Sequence, residues 1–255
     1  MNRLRSGWLA ERHSLVAESV LVVGWYALYQ TSRGLAAGDA GVAFQHARMV
    51  ASAERWLHIF VEGSVQHAAR AVPGLVGTFG VLYLTLHLAA TGTFLVWLYK
   101  RRPEAFPLAR TTLLIASALA LVGYAVFPTA PPRMAGLGIS DTISGGDVSL
   151  NHGLVSALYN PFAAVPSLHI GYAAIIGASL VRYGGRPALR LAGLLYPLLV
   201  LFVIVATGNH FVLDAVAGAT VAAVAAGAAR LLITPREPRA SSRTTRVRVA
   251  APAKT

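Results

Sequence analysis

Apolar residues fall in six long blocks, roughly Leu15 to Gln30, Leu75 to Tyr99, Leu108 to Phe127, Ser167 to Val181, Leu191 to Ala206 and Phe211 to Ile233. A membrane-spanning helix needs about 20 mostly apolar residues, so each block predicts one span. The fourth and fifth are short, and the first is the least apolar, with Glu18 near its start. Between the first two blocks, Val42, Met49, Ala53, Trp56, Leu57, Phe60 and Ser64 recur at helical spacing, opposite Gln45, Arg48, Ser52, Arg55 and Glu62. That pattern predicts one amphipathic helix, either lying in the membrane interface or packed over the ends of a bundle. Residues 128–165 are rich in Gly, Pro, Ser and Asp and read as a long ordered loop. No repeat of fixed period is present. The expected fold is all-α, a polytopic bundle of six transmembrane helices with an extracytoplasmic interfacial helix. It divides into a cytoplasmic N-terminus over 1–14, a membrane catalytic domain over 15–233 and a disordered basic cytoplasmic tail over 234–255.

Composition agrees with the pattern. Of 255 residues, 55% are hydrophobic and 13% charged, and the mean hydropathy is +0.58. The net charge of +12 would suggest nucleic acid in a soluble protein. Here the basic residues lie between and beyond the apolar blocks, so membrane topology explains them and no nucleic-acid partner is expected. With the N-terminus inside, the outer segments hold Arg33, Arg48, Arg55, Arg70 and Arg133, and the other 17 of the 22 basic residues are cytoplasmic. That asymmetry is what the positive-inside rule requires, and it predicts a multi-pass cell-membrane protein with both termini in the cytoplasm. Arg3, Arg5 and Arg12 ahead of an apolar run could mark a secretory signal. No small-residue cleavage site follows, and Gln30 to Arg33 reads as the end of a span, so an uncleaved first helix is expected. The chain has no cysteine, which excludes disulfides and thiolate metal sites.

Candidate chemistry concentrates in two stretches, Pro166-Ser167-Leu168-His169 and His210-Phe211-Val212-Leu213-Asp214. In the predicted topology both open helices on the extracytoplasmic side, with Arg133 in the loop that faces them. Pro166 suits the first position of a helix and Asn209 suits an N-cap. Each helix start would then offer N–H groups and a positive dipole end to an anion. His210 and Asp214, four apart, share a helix face. A carboxylate bound to one imidazole nitrogen fixes the tautomer and leaves the other as nucleophile or base; the alternative is a pair that only ties two helices together. His87, one turn after Tyr83, is a candidate for contact with substrate or with a neighbouring helix. Asp147 and His152 are loop candidates for a headgroup. The Ala and Gly spacing from Ala215 to Ala229 predicts close helix packing. Two histidines and an aspartate could hold zinc, but no further acidic or cysteine ligand converges, so neither a metal nor a cofactor is expected.

These residues resemble the type 2 phosphatidic acid phosphatase superfamily, whose motifs KxxxxxxRP, PSGH and SRxxxxxHxxxD run in that order across a six-helix bundle. Pro166-Ser167-Leu168-His169 is similar to the second with Leu for Gly, and His210 and Asp214 match the third. Leu in that position, and the segment Phe127-Pro128-Thr129-Ala130-Pro131-Pro132-Arg133, look like the inositol phosphorylceramide synthase branch, an inositolphosphotransferase. The lysine of the first motif falls at Val126 and the arginine of the third at Ile204, both apolar. The resemblance implies a lipid phosphate substrate, membrane lipids as surroundings, and a phosphohistidine intermediate. His210 would attack phosphorus, Asp214 orient it, and His169 protonate the departing oxygen, without metal. Arg133, Ser167 and helix-end N–H groups would bind substrate and stabilise the charge on its oxygens; Asn209 and His87, which lie outside the motifs, are further binding candidates from their own positions. A phosphodiester carries less charge than a monoester, so the two missing cations favour a phosphotransferase. A lipid phosphate phosphatase acting on phosphatidate or a polyprenyl pyrophosphate is the alternative. A small anion or lipid transporter is the reading from another class, although transporters usually carry repeats and broken helices.

Overall fold

The computed structural model describes residues 15–35, 38–142 and 160–233. The expected N-terminal piece and tail, and the loop candidates Asp147 and His152, lie outside the described residues. The described residues form α1 (Leu15–Leu35), α2 (Ala40–Trp56), α3 (Glu62–Arg70), α4 (Leu75–Arg101), α5 (Phe106–Val126), a 3₁₀ turn (Pro132–Met134), α6 (Leu168–Tyr183), α7 (Pro187–Ala206) and α8 (Val212–Ile233). There is no strand among them, so the all-α expectation holds. One parallel bridge pairs Thr129 with Ala163.

Four helices, α4, α5, α7 and α8, are long and apolar enough to cross a membrane. The other two expected spans are α1 and α6. With 16 residues, α6 rises about 24 Å, shorter than a hydrocarbon core of about 30 Å. On α7, Leu191, Leu194, Leu195, Leu198, Leu199 and Phe202 point outward, while Gly193, Val200, Val203 and Ile204 are buried. A contiguous outward row of this size suits lipid rather than water.

Within the bundle, α6 packs most extensively on α7 and also on α8, α5 and α4. Small residues let these backbones approach. A Cβ on Gly193 would stand 2.7 Å from the Gly177 carbonyl oxygen across the α6–α7 crossing. The expected small-residue seam of α8 is present, with Ala215, Gly218, Ala222, Ala225 and Ala229 buried. Helix α1 is tied to α5 by an ion pair between the buried Glu18 and Arg110.

The segment after α1 departs from its expected form. The single amphipathic helix is broken into α2 and α3, because His58 takes a left-handed conformation with φ of 59°. His58 N–H then donates to Arg55 and Ile59 N–H to Glu54, the pair of bonds that closes a helix C-terminus. Ala43, Ala47, Val50, Ala51 and Glu54 face the bundle, leaving Val42, Met49 and Trp56 on the outside. Glu62, expected on a polar face, is fully buried.

Candidate active site

The three motif segments are bonded to one another through their backbones. Thr129 N–H donates to the Phe162 carbonyl at 2.7 Å and Ala164 N–H to the Thr129 carbonyl at 3.3 Å, joining the Arg133 segment to the approach of α6. Arg133 N–H donates to Gly208, just before His210, at 3.0 Å, and Ser167 N–H to the Asp214 carbonyl at 3.0 Å. Gly208 has φ of 67°, which a glycine adopts without steric cost. Tyr124 at the end of α5 donates from its hydroxyl to the Pro166 carbonyl at 3.1 Å. Gly218 of α8 lies against the Ser167 backbone so closely that any Cβ would overlap the Ser167 carbonyl.

This framework brings the histidines together. His210 Nδ1 faces Asp214 Oδ2 at 3.3 Å, and both side chains are buried. That leaves Nε2 as the nitrogen not engaged by Asp214. The His169 ring centroid stands 5.5 Å from that of His210. His169 also stacks on Tyr83 at 4.5 Å and meets His87 edge-on at 4.5 Å. A cavity of about 270 Å³ opens beside them, lined by Tyr26, Tyr29, Gln30 and Arg33 of α1, Tyr83 and His87 of α4, Tyr124 of α5, His169 and Tyr172 of α6, and His210. A smaller cavity adjoins it, sharing Arg33, Tyr83, Ala163 and His210 and adding Asn209. The lining is phenolic and imidazole-rich, able to offer O–H and N–H groups to phosphate or alcohol oxygens.

Two expected binding residues line neither cavity. Arg133 is buried and donates from Nε to Asn209 Oδ1 at 2.9 Å and from a terminal nitrogen to Asp141 at 2.8 Å. Ser167 takes the N-cap position of α6 without a side-chain capping bond, and the helix starts at Leu168 rather than at Pro166. Its hydroxyl is buried with no hydrogen-bond partner among the described residues. Among the described residues no group of three His, Cys, Asp or Glu is arranged to hold a metal.

The start of α8 is capped differently from expectation. Asn209 is not its cap; the Asn209 amide donates to Thr207 Oγ1 at 2.7 Å and accepts from Arg133. Three carboxyls take the first N–H groups instead: Asp214 accepts from Phe211 at 2.9 Å, Glu62 from Val212 at 3.0 Å and Glu54 from Leu213 at 2.7 Å. Acidic groups suit the positive end of a helix dipole. Their presence also means that these N–H groups do not face a phosphate. Glu54 is fully buried, and its carboxyl is pushed up to about 9 by burial and by the Glu62 carboxyl beside it.

Nothing in the sequence singles out Arg33, Glu54 or Glu62 as part of this region. A buried acid reads from sequence like a solvated one on an amphipathic helix, and Arg33 reads as the polar end of a span. Only the contact of the end of α1 with Asn160 and the placement of the α2–α3 pair over the start of α8 show what they touch.

Comparison with protein families matches residues 48–228 to the PAP2 superfamily, more than half of the chain. The chain belongs to the PAP2 superfamily. Comparison with curated proteins and with solved structures gave no match. PAP2 membership together with four span-length apolar helices fits a membrane enzyme of the lipid phosphatase and phosphotransferase class. The PAP2 match begins inside α2 and ends inside α8, so it includes His87, Arg133, His169, His210 and Asp214 and leaves α1 outside.

Proposed function

We propose that this PAP2 protein is an integral membrane lipid phosphotransferase that carries a phosphate-bearing headgroup on His210 from a lipid phosphodiester to an alcohol. One observation carries the reading: His210 is held by Asp214 through Nδ1 while His169 stands beside it on the wall of the same cavity, 5.5 Å between ring centroids. In the first half-reaction Nε2 of His210 attacks phosphorus and the P–O bond to the lipid alcohol breaks. His169 gives its proton to that departing oxygen. In the second half, the acceptor alcohol oxygen attacks phosphorus, the P–N bond breaks, and the alcohol proton passes to His169. Asp214 holds the ring orientation and offsets the charge that develops on it.

The inositol phosphorylceramide synthase-like branch is supported by Leu168 in the second motif and by the apolar residues at 126 and 204. Ile204 is fully buried and Val126 is 74% exposed, so neither position lends a cation to the cavity. Asn209 and His87 line the cavities and are the proposed headgroup contacts. Arg133 and Ser167 are proposed to serve the site through the bonds that hold its three segments together. No metal or cofactor enters the scheme. The reading includes six spans, both termini in the cytoplasm and the histidines at the extracytoplasmic end, supported by the distribution of arginines. An interfacial α2 is supported by the outward Val42, Met49 and Trp56.

Hydrolysis is the second reading, favoured by the PAP2 match itself; it needs only water in place of the alcohol. The test is purified protein in detergent with labelled lipid phosphates and phosphodiesters, with and without alcohol acceptors. The expected result is headgroup transfer to alcohol, abolished by His210→Ala, and an alkali-stable protein adduct heavier than one phosphoryl group by intact mass. A bare phosphoryl adduct, formed from a monoester and discharged by water whatever alcohol is added, would establish the phosphatase. Substrates left intact throughout would overturn both and favour transport.

A further inference from the structure

We infer that Arg33, at the end of α1 and outside the PAP2 match, is the cation that binds the phosphate in this site. The inference rests on the proposed reading that the cavity beside His169 and His210 receives a phosphate ester. Such a group brings at least one full negative charge into a site walled by apolar helices, and an unpaired charge there is costly.

Neither the family's other cation positions, nor Arg133, nor the start of α8 brings positive charge to the cavities beside His210. Positions 126 and 204 hold Val and Ile. Arg133 donates to Asn209 and Asp141 and lines neither cavity. The first N–H groups of α8 are taken by Asp214, Glu62 and Glu54. Among the described residues, Arg33 is the one Lys or Arg that lines a cavity containing His210, and it lines both of them.

Its position is also fixed. The buried Asn160 donates from Nδ2 to the Arg33 carbonyl at 3.0 Å and accepts from Phe162 N–H at 2.8 Å. Through Phe162 this anchor joins the same backbone bridge that holds Thr129. Helix α1 is therefore registered against the motif segments at the residue that carries the charge. A guanidinium at that point can bond two phosphate oxygens at once, a geometry that an ammonium does not reproduce. The ligand class is a phosphate ester of low charge, matched to a single guanidinium.

Two readouts test this on the full-length protein in detergent. The first is equilibrium binding of orthovanadate, a phosphate mimic, to the wild type and to Arg33→Gln, Arg33→Lys and Arg133→Gln. The second is turnover of the labelled lipid panel by the same proteins. Arg33→Gln should weaken vanadate binding about 10- to 100-fold, the loss expected for a hydrogen bond to a charged group, and Arg33→Lys should recover part of it. Turnover by Arg33→Gln should fall by roughly 10² or more. Thermal unfolding of each variant checks folding, and Arg33→Lys keeps the test decisive if Arg33→Gln does not fold. Wild-type vanadate affinity in either folded Arg33 variant, or a wild type that binds no vanadate, overturns the inference. The two readings fail separately: Arg33-dependent binding without any turnover removes the enzyme and leaves the anion site, whereas turnover with Arg33-independent binding removes Arg33 alone.

Discussion

At the scale of single residues, His210 and Asp214 form a pair whose geometry depends on one carboxylate oxygen. Asp214 Oδ2 faces His210 Nδ1 and also accepts from Phe211 N–H, so the same atom orients the ring and caps the helix that carries it. Asp214→Asn keeps the shape but replaces the carboxylate with a neutral amide, which does not offset the positive charge that develops on the imidazole and whose NH2 end can force the wrong tautomer. The expected outcome is a kcat lower by roughly 10³ to 10⁴, as for loss of a tautomer-setting carboxylate in a triad, with KM changed much less. Steady-state kinetics on the transferred lipid measures it, and an unchanged kcat would remove Asp214 from the mechanism. That His169, His210 and Asp214 lie together was legible, because proton-transferring groups at the edges of apolar blocks have few other reasons to be there. The absence of Arg133 from the cavity walls was not, since nothing in the sequence records that Arg133 is enclosed by Asp141 and Asn209.

At the scale of elements, the α2–α3 pair is the support for the start of α8. Glu54 and Glu62 each reach a different N–H of that first turn. A carboxyl raised from 4.5 to about 9 on folding binds its proton more tightly in the native state than in the unfolded one. Its stabilising contribution is therefore full below pH 4.5 and is lost as pH rises toward 9 and beyond. The melting temperature of the wild type should fall across that window. Glu54→Gln, which keeps an acceptor for Leu213 and carries no titrating proton, should flatten the dependence. Equal slopes for the two proteins would show that Glu54 is ionised in the fold. The ends of α4, α5 and α8 are legible in the sequence to within two residues, because their hydropathy is continuous over 20 or more residues, whereas α7 begins at Pro187, four residues before its expected start. The break at His58 is not legible, because histidine, although enriched among non-glycine residues in the left-handed region, adopts it too seldom for one His to mark a helix end.

At the scale of the whole molecule, the proposed topology sets which solution the cavity meets. Reporter fusions should place Gly138 outside the cell and Arg186 inside it, and a cytoplasmic Gly138 would move all three motifs to the other compartment. The helices themselves are local structures whose backbone bonds close within each segment, but the bonds among Thr129, Phe162, Arg133, Gly208, Ser167 and Asp214 each join residues far apart in sequence. No single helix, and no pair of neighbours in the chain, contains a working site. Catalysis in this protein is accordingly a readout of tertiary order: a bundle that loosens while keeping every helix would look intact by its helical content and yet be chemically silent.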